Sequence, residues 1–275
     1  MAANTPQDAR LYFEQDMTEA DLYPVAGGMA VVYSARCPGR ETANEDAAAL
    51  IPFGPESGVL VVADGLGGPP AGELAASLAA GALETSVAKA ARKGLMLRTA
   101  ILDGFENANH VVQELGTGAA TTLAVVEVRR AGIRPYHAGD STILVVGRQG
   151  KIKLQTTSHS PVGFAVESGY LDEQEAMYHQ DRHLVSNVIG SPKMRIEVGP
   201  TLELAPHDTV LLASDGLFDN LHVEEVVGRI RKGPLADVAR QIADEAGQRM
   251  RHPKDGRPSK PDDLTFVVFR LDKTE

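Results

Sequence analysis

The chain has 275 residues, enough for one large domain and a short tail, and its 27 Lys and Arg against 37 Asp and Glu give a formal net charge of −10, which argues against non-specific nucleic-acid binding. A single cysteine, Cys37, excludes an intramolecular disulfide framework and a cysteine-built metal site, and reads as a buried, inert thiol. No apolar run approaches the roughly 18 residues of a membrane span, and the acidic start MAANTPQDARLYFEQD lacks the basic and apolar regions of a signal peptide, so a cytoplasmic globular protein is expected.

Residues 1–25 show no clear period and read as a flexible extension before a single domain over 26–272. From Met29, MAVVYSARC and then GVLVVA at 58–63 are short valine-rich runs bounded by glycine and proline, which suits buried strands. Two helical patterns follow. The first carries Leu74, Leu78, Ala82 and Val87; the second carries Leu97, Ile101, Phe105, Ala108, Val112 and Leu115 on one face.

Next, TTLAVVEV (121–128), IRPYHA (133–138), STILVV (141–146) and KIKLQ (151–155) read as a meander, with Gly139-Asp140 as a hairpin link. Residues 156–195 are irregular around a helical piece at 172–178, and so long a connection inside a domain suggests function. Strands resume at MRIEV and TVLLAS (209–214), a helix begins near Pro234 with Leu235, Val238 and Ile242 inward, and LTFVVFRL (264–271) is the last strand. Strands grouped with strands and helices with helices imply an α+β fold on an antiparallel core.

The informative feature is where acids fall. Asp64-Gly65 and Asp215-Gly216 directly follow apolar strands, Asp262 and Asp263 directly precede one, Asp140 lies in a tight turn, and Glu45-Asp46 open another strand. Each is ordinary turn chemistry when taken alone. Gathered at one end of a sheet they would repel unless cations sat among them. Oxygen-only donors select hard ions such as magnesium or manganese, and two such ions about 4 Å apart suit in-line displacement at phosphorus.

The motifs NED (44–46), VVADGLGG (61–68), GAATTLAVV (118–126), HAGDST (137–142), LLASDGLFD (211–219) and PDDLT (261–265) occur in an order that resembles the metal-dependent protein phosphatase family, type 2C, over about residues 26–271. The resemblance implies a four-layer sandwich, two mostly antiparallel sheets flanked by helix pairs, with two Mn2+ or Mg2+ ions at one edge. It implies that Asp64 bridges both ions, that Gly65 offers its carbonyl, and that Asp215 and Asp262 complete the ligands. Glu45 and Asp46 hold metal waters or ligate, and Asp140 matches a third, weaker site. A metal-bridging hydroxide would attack phosphoserine or phosphothreonine directly, with Asp64, Asp215, Asp262 and Arg40 as the catalytic set.

The match also departs from the family. Glu41 stands where an arginine usually grips phosphate, leaving Arg40, with Arg36 as second candidate. Leu66 replaces the family's histidine, a proposed general acid, so leaving-group protonation has no assigned side chain. Ser158 replaces an aspartate before His159, which reads as a structural or flap residue. His179 and His183 lack the surrounding pattern of a zinc helix. Arg249, Arg251, Lys254, Arg257 and Lys260 read as a solvated basic loop, with a docking patch for acidic substrate flanks as the sharper alternative. The flap expected over about 156–195 is where substrate choice would lie.

The resulting expectation is a bacterial-type serine/threonine protein phosphatase, monomeric, acting on phosphoproteins opposite a partner serine/threonine kinase. No appended sensor, membrane anchor or nucleic-acid partner is expected. The alternatives are an inactive interaction module of the same fold and a two-metal phosphomonoesterase for small molecules.

Overall fold

The structure is a computed structural model that describes residues 8–68, 70–130, 132–254 and 256–272. In chain order it forms β1 (Arg10–Phe13), β2 (Asp21–Val25), β3 (Gly28–Ala35), β4 (Asp46–Gly54), β5 (Ser57–Leu66), α1 (Ala71–Lys93) and α2 (Leu97–Gln113). Then come β6 (Ala120–Thr121), β7 (Leu123–Arg129), β8 (Gly132–Ala138), β9 (Thr142–Val146), β10 (Ile152–Gln155), α3 (Pro161–Glu167) and α4 (Glu173–Met177). The remainder is β11 (Glu197–Val198), β12 (Leu202–Glu203), β13 (Thr209–Ala213), α5 (Asp215–Phe218), α6 (Val223–Ile230), α7 (Leu235–Arg251) and β14 (Leu264–Leu271).

The strands make two antiparallel sheets, ordered β1-β4-β5-β7-β8-β11 and β10-β9-β13-β14-β3-β2, with β6 on β5 and β12 on β8. Side-chain alternation explains the stacking. Along β4, Ala47, Ala49 and Ile51 face α1 and α2, whereas Ala48 and Leu50 face the other sheet. Along β14, Val267 and Phe269 point between the sheets and Phe266 and Val268 point towards α7. Both faces of these strands are dry, so their sequences read as unbroken apolar runs although the sheets are antiparallel. The layers are helices, sheet, sheet, helices, as the family resemblance implied.

Three sequence expectations are corrected. The extension expected over 1–25 is not loose across its described part, because β1 pairs with β4 and β2 with β3; residues 1–7 lie outside the described residues. Gly139-Asp140 is not a hairpin link, since β8 belongs to the first sheet and β9 to the second. The link is a corner between layers. Gly139 has φ +117°, and a Cβ there would meet Thr122 Cβ at 2.5 Å, which requires glycine. On α1 the buried stripe is Ala75, Ala76, Ala79, Ala80 and Leu83, while Leu74 is exposed. Alanines let the helix lie close on the sheet, and a pattern weighted by leucine misses them. Among the described residues no helix is long and apolar enough to cross a membrane.

Candidate metal centre

The sheet ends bring the acids together. Asp46 opens β4 and pairs across the ladder with Asp64 near the end of β5. β13 and β14 are antiparallel, so Asp215 after the one and Asp262 before the other share an end of the second sheet. Ser214 Oγ donates to Asp46 Oδ2 at 2.8 Å, tying the two sheet ends to each other. The corner after β8 delivers Asp140 to the same place, and burial followed by the charge of Asp215 pushes its carboxyl up to about 7.

The repulsion expected from the sequence is present. Burial first, and then Asp46, Asp215, Asp140 and Asp262 in turn, hold the Asp64 carboxyl well above the usual carboxylate range. Asp46 is raised by burial and then chiefly by Asp263. Glu45 is pushed up to about 7 by burial, with Asp263 and Glu73 adding to it. Glu45, Asp46, Asp64, Asp140, Asp215 and Asp262 therefore form one electrostatic unit.

Neighbouring polar groups decide which oxygens stay available. Asp263 spends both of its own, accepting from Cys37 N–H at 2.6 Å and Glu45 N–H at 2.7 Å, so it pins the loop that carries Arg40 and Glu45. Asp262 beside it faces the cluster, with Oδ1 accepting from Asp263 N–H at 3.1 Å and Oδ2 lying 3.0 Å from Lys260 Nζ. The Asp64 backbone is fixed by Thr122, whose Oγ1 accepts from Asp64 N–H at 3.0 Å, and by Thr121 Oγ1, which donates to Asp64 O at 2.8 Å. The glycines beside it are steric requirements. A Cβ on Gly65 would lie 2.2 Å from Gly72 O, and one on Gly72 would lie 2.7 Å from Glu45 Oε2. The N-terminus of α1 thus rests directly on the acid cluster.

Two residues of the cluster were missed in the sequence. Asp219 lies four positions after Asp215, on the same face of a helical turn, and that spacing was the available signal. Lys260, expected in a solvated loop, instead places Nζ 2.8 Å from Asp215 Oδ2, 2.7 Å from Asp219 Oδ2 and 3.0 Å from Asp262 Oδ2. Burial opposes its charge, but the three carboxylates raise its pKa above the ordinary lysine range. Arg249 is likewise no loop residue, donating to Asn220 O at 2.7 Å and pairing with Glu225.

Of the phosphate-binding candidates, Arg36 pairs with Asp16 at 2.8 Å, whereas Arg40 is exposed and its charge offsets a small part of the rise that burial imposes on the Glu45 and Asp263 carboxyls. His159 is buried and Nδ1 accepts from Gly139 N–H at 3.1 Å, so it clamps the corner that presents Asp140. Its other nitrogen lies 2.9 Å from Glu197 Oε2. His179 and His183 do not gather with other ligands, and among the described residues the acid group that could hold an ion is Asp215, Asp219 and Asp262, the other candidate group being His137, His159 and Glu197. A cavity of about 460 Å³ runs outward from Asp140, Asp215 and Asp219, past Val162, Met177 and Phe218. The donor set is carboxylate oxygen, which fits hard divalent cations and not zinc held by thiolates.

A family model described as Protein phosphatase 2C matches residues 35–251. The chain belongs to that family. Among its relatives, protein phosphatase PhpP of Streptococcus pneumoniae is 28% identical over 189 residues, covering 65% of this chain and 75% of PhpP. The crystal structure of the serine/threonine phosphatase Stp1 from Staphylococcus aureus superposes with a TM-score of 0.74 at 25% identity, covering 91% of this chain and 98% of that one. The catalytic domain of the phosphatase PstP, determined in complex with two manganese ions, shares the fold with a TM-score of 0.67 at 24% identity, over 89% of this chain and 98% of that domain. The protein phosphatase 2C match reaches from the end of β3 to the end of α7 and so includes every acid of the cluster except Asp262.

Proposed function

We propose that this protein phosphatase 2C member is a Mn2+- or Mg2+-dependent phosphatase for phosphoserine and phosphothreonine in proteins, reversing a partner serine/threonine kinase. The observation that carries the proposal is the convergence of Asp46, Asp64, Asp140, Asp215 and Asp262, delivered by both sheets to one edge and mutually raised in pKa. Asp64, Asp215 and Asp262, with the Gly65 carbonyl, would hold two ions; Glu45 and Asp46 would hold their waters, and Asp140 would serve a third, weaker site. When bound, the ions supply Lewis acidity that activates water and offsets phosphoryl charge.

The chain's own residues supply position. Asp263 and Thr122 fix the backbones of Glu45 and Asp64 so that the ligand oxygens are preset. Arg40, exposed on the pinned loop, would grip phosphoryl oxygens arriving from solvent. The cavity beyond Asp219, walled by α3 and α4, is where the peptide around the phosphoresidue would lie. Monomeric, cytoplasmic operation on phosphoproteins, with no role for nucleic acid, belongs to the same proposal.

Substrate profiling tests it. Phosphothreonine and phosphoserine peptides should be hydrolysed with a higher kcat/KM than phosphotyrosine peptides or p-nitrophenyl phosphate in Mn2+. Turnover confined to small esters would instead favour a small-molecule phosphomonoesterase.

A further inference from the structure

The position of Lys260 is unlike that of any other basic side chain described. One ammonium lies within 2.7–3.0 Å of three separate carboxylates, Asp215, Asp219 and Asp262. The oxygens of those acids lie within 4.8 Å of one another. That is a cup for a cation, and ammonium–oxygen contacts near 2.8 Å are what a bound amine gives. A hard divalent ion would draw the same oxygens in to about 2.1 Å. Both cations cannot occupy the cup.

The lysine is also anchored independently of its charge. Buried Asn220 holds Lys260 by its backbone from both sides: Asn220 Oδ1 accepts from Lys260 N–H at 2.9 Å, and Asn220 Nδ2 donates to Lys260 O at 2.8 Å. The same Nδ2 donates to Gly216 O at 2.9 Å, so the lysine is fastened to the turn that carries Asp215 and Asp219. The backbone is therefore fixed and only the flexible stem can move. Among the described residues no ion pair reaches Asp46 or Asp64, so the built-in charge serves one half of the cluster alone.

We propose that Lys260 is a tethered counter-cation: its ammonium fills the Asp215–Asp219–Asp262 cup when divalent metal is absent and must swing out for an ion to bind there. This rests on the metal-centre proposal above. The tether gives the ammonium a high effective concentration, so it weakens metal binding at this half and sets the metal level the protein needs. It also screens mutual repulsion in the metal-free chain, which keeps the site assembled before loading.

The test compares metal-stripped wild type with Lys260→Met by Mn2+ titration calorimetry and by thermal melts in chelator. The weaker Mn2+ step should tighten about tenfold or more in the variant, as removal of an intramolecular competitor requires, and its metal-free Tm should fall below that of wild type. Unchanged or weaker Mn2+ binding in a folded Lys260→Met overturns the proposal and leaves the metal centre standing. Wild type that takes up no Mn2+ at all overturns the metal centre itself. A second readout needs no variant: reductive methylation of wild type, followed by peptide mass spectrometry, should label Lys260 slowly in chelator and faster with Mg2+. Equal labelling in both conditions contradicts displacement of the ammonium.

Discussion

Replacing Asp263 with alanine should damage this protein more than its place next to a ligand suggests. The carboxylate is 8% exposed and accepts from two backbone donors, Cys37 N–H at 2.6 Å and Glu45 N–H at 2.7 Å. A hydrogen bond to a charged group contributes about 1.5–3 kcal/mol, and a buried donor left without a partner costs about 1–3 kcal/mol. Burial already strains this carboxylate and raises its pKa, which offsets part of that gain. A net loss of about 3 kcal/mol remains, equivalent to a Tm lower by roughly 6–12 °C for a domain of this size. Asp263→Asn should be nearly as damaging, because an amide offers one acceptor and turns an N–H2 against the other backbone N–H. Differential scanning calorimetry in chelator reads this without any contribution from bound metal. Melting of Asp263→Ala within about 2 °C of wild type would refute the view that Asp263 pins the loop carrying Arg40 and Glu45.

Three further outcomes follow from the same geometry. The metal-free protein should lose stability as pH rises from 5 to 8: Asp140 and Glu45, ordinarily at 3.8 and 4.5, sit at about 7 when folded, so their contribution is complete below the ordinary values and disappears through neutrality. A metal-free Tm that stays flat or rises over that range contradicts the assignment. Gly65→Ala forces a Cβ to 2.2 Å from Gly72 O and should unfold or strongly destabilise the chain, whereas Gly72→Ala meets the Glu45 side chain, its carboxylate at 2.7 Å and its Cβ at 3.3 Å, and should lower Tm less than Gly65→Ala does while weakening Mn2+ binding in calorimetry. His159→Ala removes the acceptor for Gly139 N–H and should shift the Mn2+ dependence of turnover to higher concentration; a loss of Tm with an unshifted metal curve would make His159 structural alone.

Much of the site could be read from the sequence because its acids are attached to strong local signals. Asp64-Gly65 and Asp215-Gly216 follow apolar runs whose ends are unmistakable, and motif order supplied the convergence that spacing alone could not. The layers were legible for the same reason, since strands such as VLVVA and TVLLA are buried on both faces. What escaped depends on long-range packing. β1 and β2 are short edge strands whose residues are mostly exposed or half-buried, so they carry little apolar pattern of their own. Gly139-Asp140 has the composition of a hairpin turn, and only the partners of β8 and β9 reveal a corner between sheets. Lys260 belongs to a basic polar loop by composition. It reaches the acids because Asn220, forty positions away, holds its backbone.

The central claim is that the converged carboxylates form a divalent-metal centre for phosphoester hydrolysis. The most direct measurement is initial-rate hydrolysis of a phosphothreonine peptide by wild type and Asp64→Asn, with Mn2+ and with chelator. Turnover by wild type in Mn2+, abolished by chelator and reduced by several orders of magnitude in a folded Asp64→Asn, is the predicted result. Turnover that persists in chelator, or that survives loss of the Asp64 carboxylate, would contradict it.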